Sequence, residues 1–174
     1  TTQMDAYNLT WSVRPMQNFV ENLSNWYVRR SRRRFWKSQN DQDKNQAYQT
    51  LYIVLLELSK LLAPFMPYIS DEIYQNLCDG KNSSVHLADW PKANKHLIDD
   101  DLNKEMHLIR TVVNLGHSVR AKAKIKVRQP LLKAQIALPS RQAGLPDGID
   151  ASLIDSQKEV ILEELNVKDL EVIK

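Results

Sequence analysis

The spacing of apolar residues limits the fold of this chain more than any other feature. Over residues 15–36 they step by three and one, which places them on one face of a helix at about 100° per residue. The members of this stripe are Met16, Phe19, Val20, Leu23, Trp26 and Tyr27. A second stripe over residues 44–62 extends around much of the helix circumference, so we expect that helix to be central. Further helices are expected over residues 67–78 and 99–121, where Gly116 would permit a close helix crossing.

Helical spacing gives way to alternation near residue 120. Basic and apolar side chains alternate over residues 120–128, a pattern that favours an extended ribbon. After it we expect a strand at residues 131–138, a helix at 153–165 and a second strand at 170–173. The predicted fold is therefore mainly α. It has a bundle of about four helices at residues 1–122 and a small α+β appendage, of β–α–β order, at residues 123–174.

Composition excludes several kinds of site. The four glycines are too few for a glycine-rich phosphate loop or an all-β fold, because an average protein contains roughly 7% glycine. Cys78 is the only cysteine and the four histidines lack metal-ligand spacing, so we predict neither a disulfide nor a metal site. No arrangement of serine, histidine and aspartate marks a nucleophile, and no catalytic residue is predicted.

Nothing in the sequence marks a membrane or secreted protein. The most apolar stretch, residues 51–69, includes two charged residues and two prolines, which a membrane span of about 20 residues would not tolerate. Residues 1–10 have neither the basic lead nor the apolar run of a signal peptide. The lone cysteine agrees with a reducing cytoplasm. Because the sequence opens in mid-pattern without an initiator methionine, we expect a fragment of a longer protein.

Positive charge is concentrated in two short segments. Residues 29–37 carry six of the 24 basic side chains and no acid, and residues 120–133 carry another six and no acid. The remaining 151 positions hold 12 basic and 21 acidic residues, a net charge of −9. Two positive clusters on an acidic body are suited to a polyanion, and nucleic acid is the polyanion that we expect.

A helical projection divides the first basic segment into two sets. Arg30 and Arg34 fall on the heading of the apolar stripe, where either an ion pair with an acid of the body or an RNA contact would hold them. The second set, Arg29, Arg32 and Arg33, points outward and is suited to phosphate, and Lys37 is assigned to phosphate with it. Trp36 is the predicted stacking partner for an unpaired base, a contact worth about 1–3 kcal/mol. The alternative is a solvated basic helix end, but five arginines within six positions repel one another unless anions offset them.

The second basic segment has two interpretations that the sequence does not separate. Its alternating cations would contact phosphates along a groove or stem. They would equally protect a charged edge strand from mispairing. The residues concerned are Lys122, Lys124, Lys126 and Arg128.

Four segments resemble the class Ia aminoacyl-tRNA synthetases. Residues 19–36, FVENLSNWYVRRSRRRFW, resemble the signature helix of the anticodon-binding domain of isoleucyl-tRNA synthetase, of the type shared by eukaryotes and some bacteria. Residues 61–74, LLAPFMPYISDEIY, are similar to the class motif LAPF-P-ISEE-Y, and residues 84–91 resemble the segment that follows it. Residues 124–131, KIKVRQPL, are similar to a region further downstream. The first and last of these segments favour the isoleucyl enzyme.

The resemblance implies a tRNA-binding fragment of a longer enzyme. The ATP-site signatures of the class, His-x-Gly-His and Lys-Met-Ser-Lys-Ser, are absent, as are an editing insertion and a cysteine-rich zinc module. We therefore expect the fragment to bind the anticodon arm of tRNA, in particular tRNA(Ile), without a cofactor or catalysis of its own, and to be monomeric. By the same resemblance, ATP, Mg²⁺ and the ligation of isoleucine belong to the remaining domains of a cytoplasmic parent enzyme.

Two alternatives stay open at this point. The same domain of a valyl- or leucyl-tRNA synthetase would share the proline and tryptophan segments, which are specific only to the class. A helical docking module that binds no RNA would use the same arginines to meet an acidic protein partner.

Overall fold

A computed structural model of the chain describes residues 2–37, 41–78, 84–137 and 151–173. The fold is mainly α, as predicted, with a two-stranded parallel sheet near the C-terminus. The chain divides into two compact units, Thr1–Ala93 and Asn94–Lys174. The sequence suggested a division between residues 122 and 123 instead, which would leave the long helix at residues 99–121 with the first unit. In the structure that helix packs on the helix between the two strands, and it belongs to the second unit.

The first unit is built from helices joined by short turns. Its elements, in chain order, are α1 (Thr2–Asp5), α2 (Leu9–Asn22), a π-helical turn (Leu23–Val28), α3 (Arg29–Lys37), α4 (Asp41–Leu62), α5 (Pro67–Leu77) and a 3-10 turn (Val85–Leu87). The first long helix begins at Leu9, earlier than the predicted residue 15, because Asn8 caps it by accepting a hydrogen bond from the Trp11 amide at 3.4 Å. Pro15 consequently lies inside the helix.

Helix α4 has the central position that its broad apolar face predicted. It packs against α3, against α5 and against the 3-10 turn. Small buried side chains let the neighbouring backbones approach, and these are Ala47, Ser59, Ala63 and, on α5, Ser70. Pro67 starts α5, where its missing N–H leaves no hydrogen bond unmade. Asp71 then joins α5 to the following segment, because its Oδ1 accepts from Ser84 Oγ and from the Val85 amide, each at 2.8 Å.

The second unit combines one long helix with a β–α–β motif. Its elements are a 3-10 turn (Lys95–Leu97), α6 (Asp100–Lys122), β1 (Leu131–Ala137), α7 (Ala151–Ser156), α8 (Lys158–Leu165) and β2 (Val167–Ile173). The strands are parallel, with Leu131 opposite Val167 and Ala137 opposite Ile173. The predicted β–α–β order is confirmed, although two short helices replace the single helix expected at residues 153–165. Residue 138, the expected end of the first strand, lies outside the described residues.

Apolar side chains from α6, α7, α8 and the strands form the core of the second unit. Its buried members are Leu108, Ile109, Val113, Ile154, Ile161, Leu165, Val167 and Leu170. Each such side chain contributes about 1.5–3 kcal/mol when fully buried. Gly116 brings α6 close to α8: a Cβ atom at this position would lie 2.5 Å from Cδ2 of Leu165. The predicted close crossing at Gly116 is therefore confirmed.

Candidate nucleic-acid interface

The π-helical turn Leu23–Val28 determines which residues of α3 face inward. A π turn contains about one residue more than an α turn, so it rotates every later side chain by roughly 100° relative to a regular helix. The regular projection placed Arg30 and Arg34 at the centre of the inner face. In the structure the centre lies one residue further along, at Ser31 and Phe35, each only 5% exposed. Arg30 and Arg34 flank this line and are half-buried.

Aromatic contacts hold the inner face of α3 on α4. The Phe35 and Tyr48 rings lie 5.0 Å apart between centroids, at an interplanar angle of 43°. The Tyr27 hydroxyl donates to the carbonyl of Ala47 at 3.3 Å, and the Tyr48 hydroxyl donates to the carbonyl of Phe35 at 3.4 Å. Phe35 was not predicted as an anchor, because a regular helical projection places Arg30 and Arg34, and not Phe35, at the centre of the inner face. Its spacing of four residues from Ser31 and eight from Tyr27 was the available signal.

Arg34 forms an ion pair that ties the end of α3 to the start of α4. Its Nε donates to the two carboxylate oxygens of Asp43 at 3.0 and 3.1 Å, and its Nη2 lies 2.7 Å from Oδ1. Both side chains are 38% exposed. The hydrogen bond to Asp43 raises the pKa of Arg34 above its ordinary value, and partial burial opposes this rise. Of the two roles weighed for Arg34 from sequence, the structure shows the ion pair.

Arg30 makes a different contact on the same side of the helix. Its guanidinium carbon lies 5.4 Å from the centroid of the Trp26 ring, within the range of a cation–π interaction. The side chain is half-buried, in agreement with an inward heading. A role for Arg30 in RNA contact stays a prediction.

The outer set of α3 forms an exposed basic surface. Arg29, Arg32 and Arg33 are all exposed, as the helical projection predicted. The Arg29 Nε donates to the carbonyl of Asn25 at 2.9 Å, and its guanidinium carbon lies 6.0 Å from the centroid of the Trp26 ring. The side chain of Lys37 lies outside the described part of the chain.

Trp36 adds an aromatic surface beside these cations. Its side chain is 72% exposed, an unusual position for an indole in a folded protein. The guanidinium carbon of Arg32 lies 5.9 Å from the Trp36 ring centroid. An exposed flat ring next to an arginine offers both a stacking face and a phosphate donor, the combination that single-stranded nucleic acid requires.

The second basic segment is not the extended ribbon that alternation predicted. Helix α6 continues to Lys122 and ends in a Schellman cap, in which the amide of Ile125 donates to the carbonyl of Arg120 at 2.9 Å. The amide of Lys124 donates to the carbonyl of Ala121 at 3.0 Å, and Lys124 adopts a left-handed conformation with φ of 56°. Glycine is the usual residue at such a position, so its absence hid the helix end. The prediction was wrong because capping hydrogen bonds, rather than strand pairing, satisfy this backbone.

The four predicted cations of this segment all face solvent. Lys122 ends α6, and Lys124, Lys126 and Arg128 lie on the loop of residues 123–130 that leads to β1. All four side chains are exposed. Within the part of the chain that the structure describes, none of them forms an ion pair. Because no strand forms here, the edge-protection interpretation loses its basis.

Two basic residues of this segment differ from these four: Lys133 forms an ion pair with Glu171 at 2.8 Å, and Arg120 is buried. It is only 4% exposed, and its guanidinium donates to backbone carbonyls. Nε and Nη2 donate to Leu165 at 3.0 and 2.7 Å, and Nη2 donates also to Asn166 and Gln129, each at 3.1 Å. Nη1 donates to Lys126 at 3.2 Å. From its place in the basic segment, Arg120 was expected to be a surface cation. Its acceptors include residues 45 and 46 positions away, which no local pattern reveals.

The remaining candidate features of the sequence are a metal site, a membrane span and a lone cysteine. Within residues 2–37, 41–78, 84–137 and 151–173, no group of three histidine, cysteine or acidic side chains is placed to hold a metal ion. The described helices include none that is both long enough and apolar enough to cross a bilayer. Cys78 is half-buried at the end of α5.

The family of the chain follows from residues 1–136, which match the anticodon-binding domain of tRNA ligases. The chain therefore belongs to this family, and the match includes both basic segments. The chain is 49% identical over 173 residues to the isoleucine–tRNA ligase of Dehalococcoides mccartyi strain CBDB1, covering 96% of this chain and 16% of that protein.

Two further relatives carry the same name. The isoleucine–tRNA ligase of Protochlamydia amoebophila strain UWE25 is 46% identical over 169 residues, covering 96% of this chain and 16% of that protein. The isoleucine–tRNA ligase of Chlamydia pneumoniae is 42% identical over 168 residues, with 96% and 15% covered. The chain thus spans about a sixth of the length of these relatives. The resemblance drawn from residues 19–36 and 124–131 is confirmed at the level of the family.

Proposed function

We propose that the chain binds the anticodon arm of tRNA(Ile) within an isoleucine–tRNA ligase and orients the tRNA for aminoacylation by domains outside this chain. The observation that carries the proposal is the difference between the two sides of α3. Its inner side is anchored on α4 through Phe35 and Arg34, while its outer arginines and Trp36 face solvent. A rigid helix that presents cations and an exposed indole is suited to a folded RNA loop. The names of the relatives, which are isoleucine–tRNA ligases, support isoleucine as the amino acid of the proposed parent enzyme.

On α3, we assign phosphate contacts to the cations and base stacking to the indole. The planar forks of Arg29, Arg32 and Arg33 match phosphate oxygens, and Lys37 follows them along the helix. Trp36 stacks on an unpaired loop base, since bases of a single-stranded loop expose their faces and edges while the deep A-form major groove hides them. Arg30 and Arg34 lie further in. Arg34 acts mainly through Asp43, and Arg30 contacts RNA only at the margin.

The second basic segment provides further phosphate contacts. Lys122, Lys124, Lys126 and Arg128 are exposed cations on a capped helix end and its loop. Among the residues that the structure describes, these cations form no ion pair, so a phosphate that binds them breaks no salt bridge seen there.

The contribution of this chain to the parent reaction is orientation. Binding the anticodon arm at one end of the tRNA would hold the acceptor end at a distant active site, and such positioning lowers the entropic part of the barrier. ATP, Mg²⁺ and the chemistry of ligation belong to the rest of the parent enzyme. The fragment itself uses no cofactor. We place the parent in the cytoplasm and expect the fragment to be monomeric.

The test is the binding of a tRNA(Ile) transcript to the wild-type chain and to a triple variant. In the variant, the outer arginines are replaced together as Arg29→Ala, Arg32→Ala and Arg33→Ala. About eight single-strand phosphate contacts, four on α3 and four in the second basic segment, give a slope near −6 in a plot of log affinity against log salt, and removing three contacts makes that slope less steep by about 2. A matched control removes three exposed lysines elsewhere, through Lys92→Ala, Lys95→Ala and Lys168→Ala. It should keep the wild-type slope.

The same assay separates the alternatives. Transcripts in which the isoleucine anticodon is replaced by a valine or leucine anticodon should bind more weakly, and equal affinity for all three would refute the choice of tRNA(Ile). If the wild-type chain failed to bind tRNA, or bound it with a flat salt dependence, a docking role toward an acidic protein would be favoured instead.

A further inference from the structure

The loop of residues 123–130, between α6 and β1, has little structure of its own to maintain its shape. Seven of its eight residues are exposed, and Ile125 alone is half-buried. The amides of Ala123, Lys124 and Ile125 donate to the end of α6, and the one described backbone hydrogen bond within the loop runs from the Gln129 amide to the carbonyl of Lys126 at 3.0 Å. Cations at residues 122, 124, 126 and 128 repel one another, which favours spread conformations. Something outside the loop must therefore hold it.

Arg120 holds this loop from the inside. Its guanidinium joins the carbonyls of Lys126 and Gln129 to those of Leu165 and Asn166 at the turn between α8 and β2. Burying a guanidinium is costly unless its N–H groups find acceptors, and here the neutral carbonyls supply them. Lysine cannot replace this arrangement, because a single ammonium cannot reach four carbonyls around a planar fork.

Asn166 attaches the loop at two more points. It has a left-handed conformation, with φ of 49°, at the end of α8. From there its Nδ2 donates to the carbonyl of Val127 at 2.9 Å, and its own carbonyl accepts from the Leu131 amide at 3.1 Å. With the contacts of Arg120, the loop backbone is tied at residues 126, 127, 129 and 131.

We infer that Arg120 is a positioning residue for RNA binding, which fixes this loop so that Lys122, Lys124, Lys126 and Arg128 present a preformed cationic surface to tRNA phosphates. The inference rests on the proposed function. Its physical basis is that a binding surface ordered in advance loses less conformational entropy when the ligand arrives. Arg120 itself is buried and touches no RNA.

The experiment is a cycle that combines loss of the anchor with loss of the cations. Arg120→Lys keeps the charge but removes the fork. The second change is a neutral-loop background in which Lys122, Lys124, Lys126 and Arg128 are all replaced by glutamine. Affinity for the tRNA(Ile) transcript is measured for the wild-type chain, each change alone and both together. Arg110→Lys is the control, because Arg110 lies on the same helix and donates to the carbonyl of Met106 at 3.2 Å, away from the loop.

Arg120→Lys should weaken tRNA binding about fivefold in the wild-type background and less than about twofold in the neutral-loop background. Hydrogen exchange of the amides in residues 123–130 should become faster without RNA. Arg110→Lys should change neither quantity. An equal loss of affinity in both backgrounds, or an unchanged affinity with a mobile loop, would overturn the inference, because a general structural role does not depend on the cations.

A gentler variant covers the case in which Arg120→Lys fails to fold. Asn166→Gly removes only the contact to Val127, since glycine accepts a left-handed backbone without strain. We expect it to weaken binding about twofold, again only when the cations are present. The two proposals fail separately. A wild-type chain that does not bind the transcript, or that ignores loss of the three outer arginines, overturns the proposed function and with it this inference. Normal binding with an additive cycle overturns this inference alone.

Discussion

The two basic segments use an inward arginine in different ways. On α3, Arg34 is 38% exposed and pairs with the carboxylate of Asp43, while Phe35 and Ser31 supply separate burial against α4. At the end of α6, Arg120 is 4% exposed and donates to carbonyls, and the loop that it holds buries almost nothing. The comparison suggests that the cost of losing the inward arginine depends on what else supports the segment. That cost should be small on α3 and large on α6.

The largest effect is expected from Arg120→Met, which preserves an apolar stem but removes every donor. The buried carbonyl of Leu165 loses its donor at a cost of about 1–3 kcal/mol, and the part-buried carbonyls of Lys126, Gln129 and Asn166 add smaller losses. We expect the free energy of unfolding of the second unit to fall by roughly 3 kcal/mol. All four tryptophans lie in the first unit, so hydrogen exchange of α6, α8 and the strands is the appropriate measurement. Arg34→Met should lower the free energy of unfolding of the first unit far less, as measured by tryptophan fluorescence during unfolding. If Arg120→Met and Arg34→Met lowered the free energy of unfolding equally, the contrast between the two segments would be wrong.

Gly116→Ala should produce the next largest effect, because it disturbs the contact on which the Arg120 site depends. The new Cβ would lie 2.5 and 2.7 Å from the δ carbons of Leu165, and this side chain is only 5% exposed. Alanine favours the helix by about 1 kcal/mol, whereas overpacking costs about 1–3 kcal/mol. A net loss of about 1 kcal/mol is expected, with faster exchange in α6 and α8. Leu165→Val in the same chain should restore part of it. A more stable Gly116→Ala variant would show that Leu165 moves aside freely.

The sequence predicted the regular parts of the fold because they follow local rules. The apolar spacing predicted the central position of α4, and Gly116 predicted a close helix crossing, which the structure places at α8. The π turn could not be found this way, since the projection assumes a constant pitch. One extra residue there moved the inner face of α3 from Arg30 and Arg34 to Ser31 and Phe35.

The candidate site, like the fold, was predicted from the sequence only in part. The exposure of Arg29, Arg32 and Arg33 was predicted from helical spacing, whereas Trp36 was named only as an aromatic ring next to these cations. Burial of Arg120 did not, because a count of charges treats every arginine as a surface cation. Its acceptors near residue 165 become neighbours only once the β–α–β motif has formed. The alternation over residues 120–128 misled for a related reason: a Schellman cap without glycine carries no sequence mark.

The smallest effect is expected for the ion pair of Arg34 and Asp43. Its dependence on salt further distinguishes the two basic segments. Removing Asp43 also removes a negative charge from the first turn of α4, where the helix dipole favours it, so single variants overstate the pair. A double-mutant cycle of Arg34→Ala and Asp43→Ala isolates the coupling, which we expect to be about 0.5 kcal/mol because both groups are partly exposed. Tryptophan fluorescence during urea unfolding measures it.

The coupling should shrink toward zero at about 1 M salt, where charges are screened within roughly 3 Å. The cost of Arg120→Met should barely change with salt, since neutral carbonyls in a buried site attract few counterions. A coupling on α3 that salt left unchanged would mean that Arg34 and Asp43 act as a buried anchor too, and the contrast between the two segments would then be wrong.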